Sequence, residues 1–272
     1  MRVLVVVHCL LALSAPTAVA QQADTLRRDK TFLVRRDLAI AGIALGAAGA
    51  LSVWDRDIAR WSQQPRFQDS SSHALALRIS KVNESTLTVA GIALYGIGRL
   101  TKQRALTDVA LHATESVILA SLASQAIRGP LGRSRPYVTG DSNQYDFKFM
   151  GGFRRGEEGF RRRAFPSIHT SSSMAVATVV AMELNRRDVR GARLATPIIY
   201  AAGMLPGLAR INLDTHWASD VLAGAFMGVF SGYKVVNYSH AHPGNAFDRI
   251  LLKASVVPDP AGGFRIGFSP EL

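Results

Sequence analysis

Apolar residues in this chain gather into six long segments separated by polar connections. Gly and Ala are frequent within them and β-branched runs are short, a composition that favours closely packed helices. We therefore predict helices over 38–54, 85–100, 106–127, 170–184, 192–208 and 217–236. The tail differs, because 254–257 and 264–268 alternate like strands around a turn rich in Pro and Gly. The pattern predicts an all-α six-helix bundle with a C-terminal β-hairpin.

The first twenty residues are typical of a secretory signal. Arg2 is followed by an apolar stretch and then by Ala18-Val19-Ala20, a small-x-small cleavage site. The apolar stretch is short for a membrane span, which is the alternative. We divide the chain into a signal peptide (1–20), a basic segment (21–37), a helical domain (38–240) and a tail (241–272).

Basic residues cluster at the predicted helix ends. They precede the first segment, separate the second from the third, and separate the fourth from the fifth: Arg27, Arg28, Lys30, Arg35, Arg36, Arg99, Lys102, Arg104, Arg186, Arg187, Arg190 and Arg193. In an up-down bundle these clusters share one end. For a membrane protein that asymmetry places the other end outside the cytoplasm, whereas in a soluble protein it is ordinary solvated charge.

The two signals at the N-terminus and in the helices conflict over topology. A cleaved signal followed by six spans would leave the far end of the bundle in the cytoplasm, against the charge asymmetry. Either the signal is real and not all segments span, or the segments span and the N-terminus is retained. Both alternatives predict an exported protein, in a bacterial inner membrane with its site facing the periplasm, or in the periplasm itself.

Composition narrows the class of ligand. The chain has 272 residues, 48% of them hydrophobic, which is enough for a sizeable core. Its formal net charge of +12 favours anionic partners such as lipid headgroups or phosphorylated molecules. No nucleic-acid-binding module is recognisable, so we expect no nucleic-acid partner.

His216 and Asp220 form the first candidate catalytic pair. Their spacing of four places both side chains on one face of a helix. A carboxylate that fixes the tautomer of a histidine leaves the other ring nitrogen free to attack. The alternative is a pair that merely shares a helix surface.

Pro166-Ser167-Ile168-His169 forms the second cluster. Pro and Ser before an apolar run predict a helix start, where free N–H groups bind anions. Ser167 adds a hydroxyl, and His169 falls in the first turn. A capping or solvated histidine is the alternative here.

Three arginines complete the set. Arg128 and Arg135 lie at the end of the third segment, and Arg210 lies at the end of the fifth. Arginines are favoured at helix C-termini in any case. That preference does not explain why all three fall at the same predicted end of the bundle as both histidines. Forked guanidinium groups are suited to phosphate oxygens.

The order and spacing of these clusters resemble the type 2 phosphatidic acid phosphatase superfamily, which includes lipid phosphatases, bacterial acid phosphatases and vanadium haloperoxidases. Lys-x6-Arg-Pro of that family corresponds to Arg128 and Arg135-Pro136 here. Pro-Ser-Gly-His corresponds to 166–169, and Ser-Arg-x5-His-x3-Asp to 209–220. Three departures stand out: Arg128 replaces Lys, Ile168 replaces Gly and Ala209 replaces Ser.

The resemblance implies a helical phosphatase that uses no metal and no cofactor, with vanadate acting only as a phosphate mimic. It implies that His216 attacks phosphorus, that Asp220 orients it and that His169 protonates the leaving group. The residues that it implies for phosphate binding are Arg128, Arg135, Ser167 and Arg210.

The substrate stays open between a phosphorylated lipid, of phosphatidate or polyprenyl diphosphate type, and a soluble phosphomonoester. A membrane is the expected partner for the first. A vanadate-dependent haloperoxidase or a non-catalytic phosphate-binding relative, motivated by Ile168 and Ala209, is the remaining alternative. We expect no metal at the other histidines, because His112 and Glu115 form a polar pair without a third ligand at suitable spacing.

Overall fold

The computed structural model describes residues 32–242 together with the backbone of two strands in the tail. The predicted signal peptide, 1–20, and residues 21–31 lie outside the described residues. The helices are α1 (Arg35–Ser52), α2 (Asp55–Ser62), α3 (Ser70–Ile79), α4 (Glu84–Leu100), α5 (Arg104–Leu131), α6 (Pro136–Thr139), α7 (Gly156–Arg161), α8 (Ile168–Arg186), α9 (Ala192–Asn212) and α10 (Ala218–Ala241). Single 3-10 turns cover Pro65–Phe67 and Gly151–Phe153.

The prediction of an all-α fold is confirmed, and each of the six predicted segments is a helix, α1, α4, α5, α8, α9 and α10. The count of six was too low for the described residues. Four shorter helices, α2, α3, α6 and α7, occupy stretches that the apolar pattern left as connections. These helices are short and lack a long apolar run, so the apolar pattern did not predict them.

The predicted hairpin is also present. Strands β1 (Ala254–Pro258) and β2 (Phe264–Phe268) pair antiparallel, with Val256 opposite Ile266.

Helices α8 and α10 form the centre of the bundle and pack most closely on each other, with α5 against both. Gly224, Gly228 and Gly232 recur every four residues along one face of α10. A Cβ atom on Gly228 would lie 2.3 Å from the carbonyl oxygen of Ser171 in α8. The close approach of the two helix backbones therefore depends on these missing side chains.

The two ends of the bundle differ in character. One end holds the C-terminus of α8 beside the N-terminus of α5, where Arg187 pairs with Asp108 at 2.7 Å. We call it the basic end, because the arginine-rich α8–α9 and α4–α5 connections lie there. The other end holds the start of α8 beside the start of α10, joined by a hydrogen bond from the Ser167 N–H to the Asp220 carbonyl oxygen (3.0 Å).

The structure gives His112 a partner that the sequence did not predict. His112 Nδ1 lies 2.8 Å from Glu183 Oε1, and His240 Nε2 lies 2.7 Å from the same oxygen. His240 belongs to the last turn of α10. The three side chains come from separate helices, and spacing along the chain does not reveal such a cluster.

Apolar side chains cover much of the outer surface of the bundle. Leu38 on α1, Val89 on α4 and Leu194 on α9 are each at least two-thirds exposed. By length and composition, α5 and α9 are long and apolar enough to cross a membrane, and α1 with α2, bent by 61°, would count as one further span. Among the described residues, two helices could therefore cross a membrane, or three spans could if the bent pair counts as one, and not six.

We expect Gly228→Ala to destabilise the bundle by about 1–3 kcal/mol, because its methyl group overlaps the backbone of α8. Gly46→Ala is the matched control, since a Cβ there meets nothing within 4 Å and a helical Ala is favoured by up to about 1 kcal/mol. Denaturant unfolding of both variants in detergent measures the difference. Equal stability of the two would contradict the close packing of α8 on α10.

Candidate active site

The spacing of four predicts that His216 and Asp220 lie on one face of a helix. The structure instead places His216 just before α10. Trp217 is the N-cap residue, and Asp220 is the third residue of the helix. The Asp220 Oδ2 atom accepts a hydrogen bond from the Trp217 N–H at 2.8 Å and lies 3.5 Å from His216 Nδ1. The carboxylate thus reaches back over the helix start, and it faces the imidazole through capping geometry.

The environment of His216 favours a neutral imidazole. Burial lowers the pKa of His216 well below its usual value, and the positive charges of Arg135, Arg210 and Arg128 act in the same direction. A proton on Nδ1, facing Asp220, leaves the Nε2 lone pair unprotonated. That Nε2 atom lies 3.5 Å from the nearest guanidinium nitrogen of Arg135.

Arg135 is fixed by the loops around it. Its Nε donates to the Phe160 carbonyl oxygen at 3.0 Å, and one terminal nitrogen donates to the Thr215 carbonyl oxygen at 2.9 Å. Its guanidinium carbon also lies 4.1 Å from the centroid of the Phe160 ring. Burial and the charges of Arg210 and Arg128 lower the pKa of Arg135 to about 9.

Arg128 and Arg210 approach from the last turns of α5 and α9. The Nε atom of each is buried and has no hydrogen-bond partner among the described residues. Buried donors without partners are costly, since they have lost their water. Arg128 and Arg210 both act on the charge of Arg135, so three buried positive charges lie close together, an arrangement suited to an anion.

Ser167 and His169 lie at the start of α8, as predicted. Ser167 is the N-cap residue, and its hydroxyl oxygen accepts a hydrogen bond from Thr170 at 2.9 Å. His169 follows in the first turn, with a buried Nδ1 atom that has no hydrogen-bond partner in the described part of the chain. Burial, then Arg210, Arg135 and Arg128, lower the pKa of His169 to about 3.

Arg133 is a site residue that the sequence analysis missed. One of its terminal nitrogens donates to Asp220 Oδ1 at 2.6 Å and to the Ser219 hydroxyl at 2.8 Å. The other donates to Asp55 Oδ2 at 2.8 Å and to the Gln144 carbonyl oxygen at 2.8 Å. All three charged side chains are buried. We call Arg133, Asp55 and Asp220 the carboxylate clamp.

The clamp fixes the start of α10 from a second direction. Asp55 Oδ1 accepts the Ser219 N–H at 2.8 Å, and Asp55 Oδ2 accepts the Ser219 hydroxyl. Asp55 is the first residue of α2, so it links the N-terminal helices to the site. Arg133 stands two residues before the motif residue Arg135, and this closeness was an indication in the sequence that it belongs to the site. Asp55 is 78 residues from Arg133 along the chain, and no local pattern joins them.

A second pair of carboxyl groups lies next to His216. Burial, and then the hydrogen bond and charge of Asp141, raise the pKa of Asp214 to about 8. Both residues adopt a left-handed backbone, with φ of 55° at each. The Asp214 carbonyl oxygen accepts the Tyr137 N–H at 3.2 Å, which ties this loop to the residues after Arg135. The closeness of the two carboxyl groups therefore favours a proton shared between them.

The group of described residues with metal-ligand spacing lies elsewhere. It comprises His112, Glu183 and His240 at the basic end of the bundle. The residues around His216 offer cationic and hydrogen-bonding groups, which suit a phosphate or another tetrahedral oxyanion.

Comparison with known proteins agrees with this geometry. The family model of the PAP2 superfamily matches residues 109–243, a region that contains all three motif clusters. Lipid A 1-phosphatase of Porphyromonas gingivalis is 34% identical to the chain over 79 residues. That alignment covers 28% of this chain and 16% of the relative.

The fold has a counterpart among solved structures. The crystal structure of the first transmembrane PAP2 type phosphatidylglycerolphosphate phosphatase from Bacillus subtilis superposes with a TM-score of 0.52 and 17% sequence identity. The superposition covers 76% of this chain and 96% of that one. The chain therefore belongs to the PAP2 superfamily through its residues 109–243.

Proposed function

We propose that this protein is a membrane-bound phosphatase that hydrolyses lipid phosphates or diphosphates through a phosphohistidine at His216. One observation carries the proposal: a buried, neutral His216 has one nitrogen facing Asp220 and the other facing Arg135, with two further arginines acting on it. A neutral imidazole is a nucleophile, and guanidinium groups hold the phosphoryl oxygens that it attacks.

Binding of the phosphate is assigned to Arg128, Arg135 and Arg210, with Ser167 and the free N–H groups at the start of α8 adding hydrogen bonds. The unpartnered Nε atoms of Arg128 and Arg210 support this assignment. A bound dianion supplies the missing acceptors and reduces the mutual repulsion of the three cations. Substrate binding is thus favoured by groups that the free site leaves unsatisfied.

In the first step, His216 Nε2 attacks phosphorus, the N–P bond forms, and the bond to the leaving oxygen breaks. The Nδ1 proton stays between His216 and Asp220, where the carboxylate stabilises the positive charge that develops on the ring. His169 gives its proton to the leaving alkoxide or phosphate. In the second step, His169 accepts a proton from water, which attacks phosphorus and releases His216 and orthophosphate.

The low pKa of His169 in the free site fits this role only if substrate changes it. Part of the shift comes from Arg210, Arg135 and Arg128. A phosphate bound to these arginines cancels their charge, so the pKa of His169 rises when substrate arrives. His169 is then protonated in the complex, which is where a general acid is needed.

The substrate class is inferred from surface and kinship. Lipid A 1-phosphatase and the phosphatidylglycerolphosphate phosphatase are both named for lipid substrates. In this chain, α1, α4 and α9 carry exposed apolar side chains on their outer faces. With the basic end placed in the cytoplasm, the site faces the periplasm. We take a phosphorylated lipid headgroup as substrate, and a soluble phosphomonoester as the alternative that a substrate panel distinguishes.

We expect His216→Ala to lose at least about 10⁴-fold in kcat on every phosphate tested, since no other described group replaces the nucleophile. Phosphate release is measured with phosphatidate, a polyprenyl diphosphate and an aryl phosphate, all with chelator present. His73→Ala, an exposed histidine on α3, is the control with wild-type activity. Turnover of the His216 variant at the wild-type rate would refute the scheme.

The leaving group identifies the acid. We expect His169→Ala to lower kcat on an alkyl phosphate by about 10²–10⁴-fold, because an alkoxide cannot depart unprotonated. An aryl phosphate, whose leaving group is a weaker base, should lose far less in the same variant. Equal losses on the two substrates would argue against His169 as the acid.

Substitutions at the two partners of Asp220 in the carboxylate clamp should shift the pKa of Asp220 in opposite directions. Burial raises the pKa of Asp220 to about 6, while Arg133 lowers it and Asp55 raises it. Because Asp220 must be ionised to orient His216, kcat/KM should fall as the pH drops through about 6. Asp55→Asn removes a neighbouring negative charge and should move this limb to lower pH. Arg133→Gln should move it to higher pH and lower kcat by about 10–100-fold.

Two comparisons keep the clamp test decisive. The same substrate is used throughout, so that titration of its phosphate cancels between variants. Arg133→Gln leaves two buried carboxylates without a cation and costs about 3–5 kcal/mol, so Arg133→Lys serves as the charge-conserving variant if the glutamine form does not fold. Arg133→Lys keeps the charge and should leave the acid limb near the wild-type pH. An acid limb that stays at the wild-type pH in Asp55→Asn, and in Arg133→Gln where that variant folds, would exclude a positioning role.

A further inference from the structure

His112, Glu183 and His240 form a compact cluster at the basic end of the bundle, far along α8 from His169. We call it the basal triad. Each residue comes from a different helix: His112 from α5, Glu183 from α8 and His240 from α10. The Nδ1 atom of His112 and the Nε2 atom of His240 lie 2.8 Å and 2.7 Å from Glu183 Oε1.

The donor set is that of a metal site. One atom from each residue lies within 4.8 Å of the others, so a single ion can contact all three. Two imidazole nitrogens and a carboxylate oxygen suit zinc and similar divalent ions. Zn–N bonds of about 2.0–2.1 Å in a tetrahedral site place ligand atoms about 3.3 Å apart. The two distances from the imidazoles to Glu183 Oε1, 2.8 Å and 2.7 Å, reach that value by shifts of about half an ångström.

Burial and access are both appropriate. The His112 and Glu183 side chains are buried, whereas the His240 side chain is 36% exposed and opens the cluster to solvent. The rings of His112 and His240 lie edge to face, with centroids 5.3 Å apart. The exposed side provides an entry path and room for a fourth, water ligand.

A hydrogen-bonded triad without metal is the competing explanation, and one atom counts against it. Both histidines share Glu183 Oε1, while Glu183 Oε2 is buried and has no hydrogen-bond partner among the described residues. An Arg187 nitrogen lies 3.5 Å from it, and that guanidinium is itself bonded to Asp108 at 2.7 Å. A cation bound by both oxygens of the carboxylate would give Oε2 the partner that the hydrogen bonds do not provide.

We propose that the basal triad is a binding site for a divalent ion of the zinc class, which ties together the basic ends of α5, α8 and α10. The site is separate from the phosphate chemistry. Metal bound to the folded protein and not to the unfolded chain stabilises it, and the increase grows with the concentration of free ion. The ion would thus have a structural role and stabilise the packing of the three central helices.

The test is a titration of the purified full chain, in detergent and stripped with chelator, with Zn²⁺ alone. We expect saturable binding of one ion and a rise in Tm. Glu183→Gln keeps an acceptor for both imidazoles but is a poor metal ligand, so it should fold and bind at least about 100-fold more weakly. His112→Ala and His240→Ala should weaken binding similarly, and Co²⁺ should give visible absorption in the wild type only.

Two controls separate this site from the rest of the protein. His73→Ala removes an exposed histidine, and His216→Ala removes the candidate nucleophile; both should bind Zn²⁺ as the wild type does. Chelator should lower Tm while phosphate release continues at temperatures where the protein stays folded. No saturable binding by the wild type, or equal binding by Glu183→Gln and wild type, would overturn the proposal whatever the outcome of the phosphatase assays.

Discussion

The arrangement of the site depends on Arg133, which forms ion pairs with both Asp55 and Asp220. These three charges are buried together, and removing the guanidinium leaves two carboxylates without a cation in the interior. Through Asp55 these ion pairs reach α2, and through Asp220 they reach the start of α10 and the imidazole of His216. His216 lies before the helix, so its contact with Asp220 depends on how the start of α10 is held.

The same geometry sets the electrostatics. Asp220 is occupied by Arg133 and by the Trp217 N–H, so its charge does little to neutralise the arginines on the substrate side. Arg128, Arg135 and Arg210 therefore remain mutually repelling, and His216 and His169 stay neutral beside them. Under the proposed function, a bound dianion relieves this repulsion. The same distribution of charge then accounts for substrate binding, for the nucleophilicity of His216 and for the return of a proton to His169.

Sequence patterns predicted the six long helices and the chain order of the motif residues, because both rest on local periodicity and spacing. They did not predict Asp55, which meets Arg133 across 78 residues, or the basal triad, whose members come from three helices. The position of His216 was wrong for a related reason: a spacing of four fits a helix turn and an N-terminal capping arrangement equally well. Contacts between distant segments decide such cases, and composition does not record them.

If His216 carries the phosphoryl group, the phosphorylated intermediate can be trapped on it. Protein is mixed with a substrate labelled in the phosphate and quenched in alkali, where phosphohistidine survives and acyl phosphates do not. We expect label on His216 in the wild type and none in His216→Ala. His169→Ala should carry more label on an aryl phosphate, because hydrolysis of the intermediate is slowed. Label on another residue, or label that persists in His216→Ala, would contradict this role of His216.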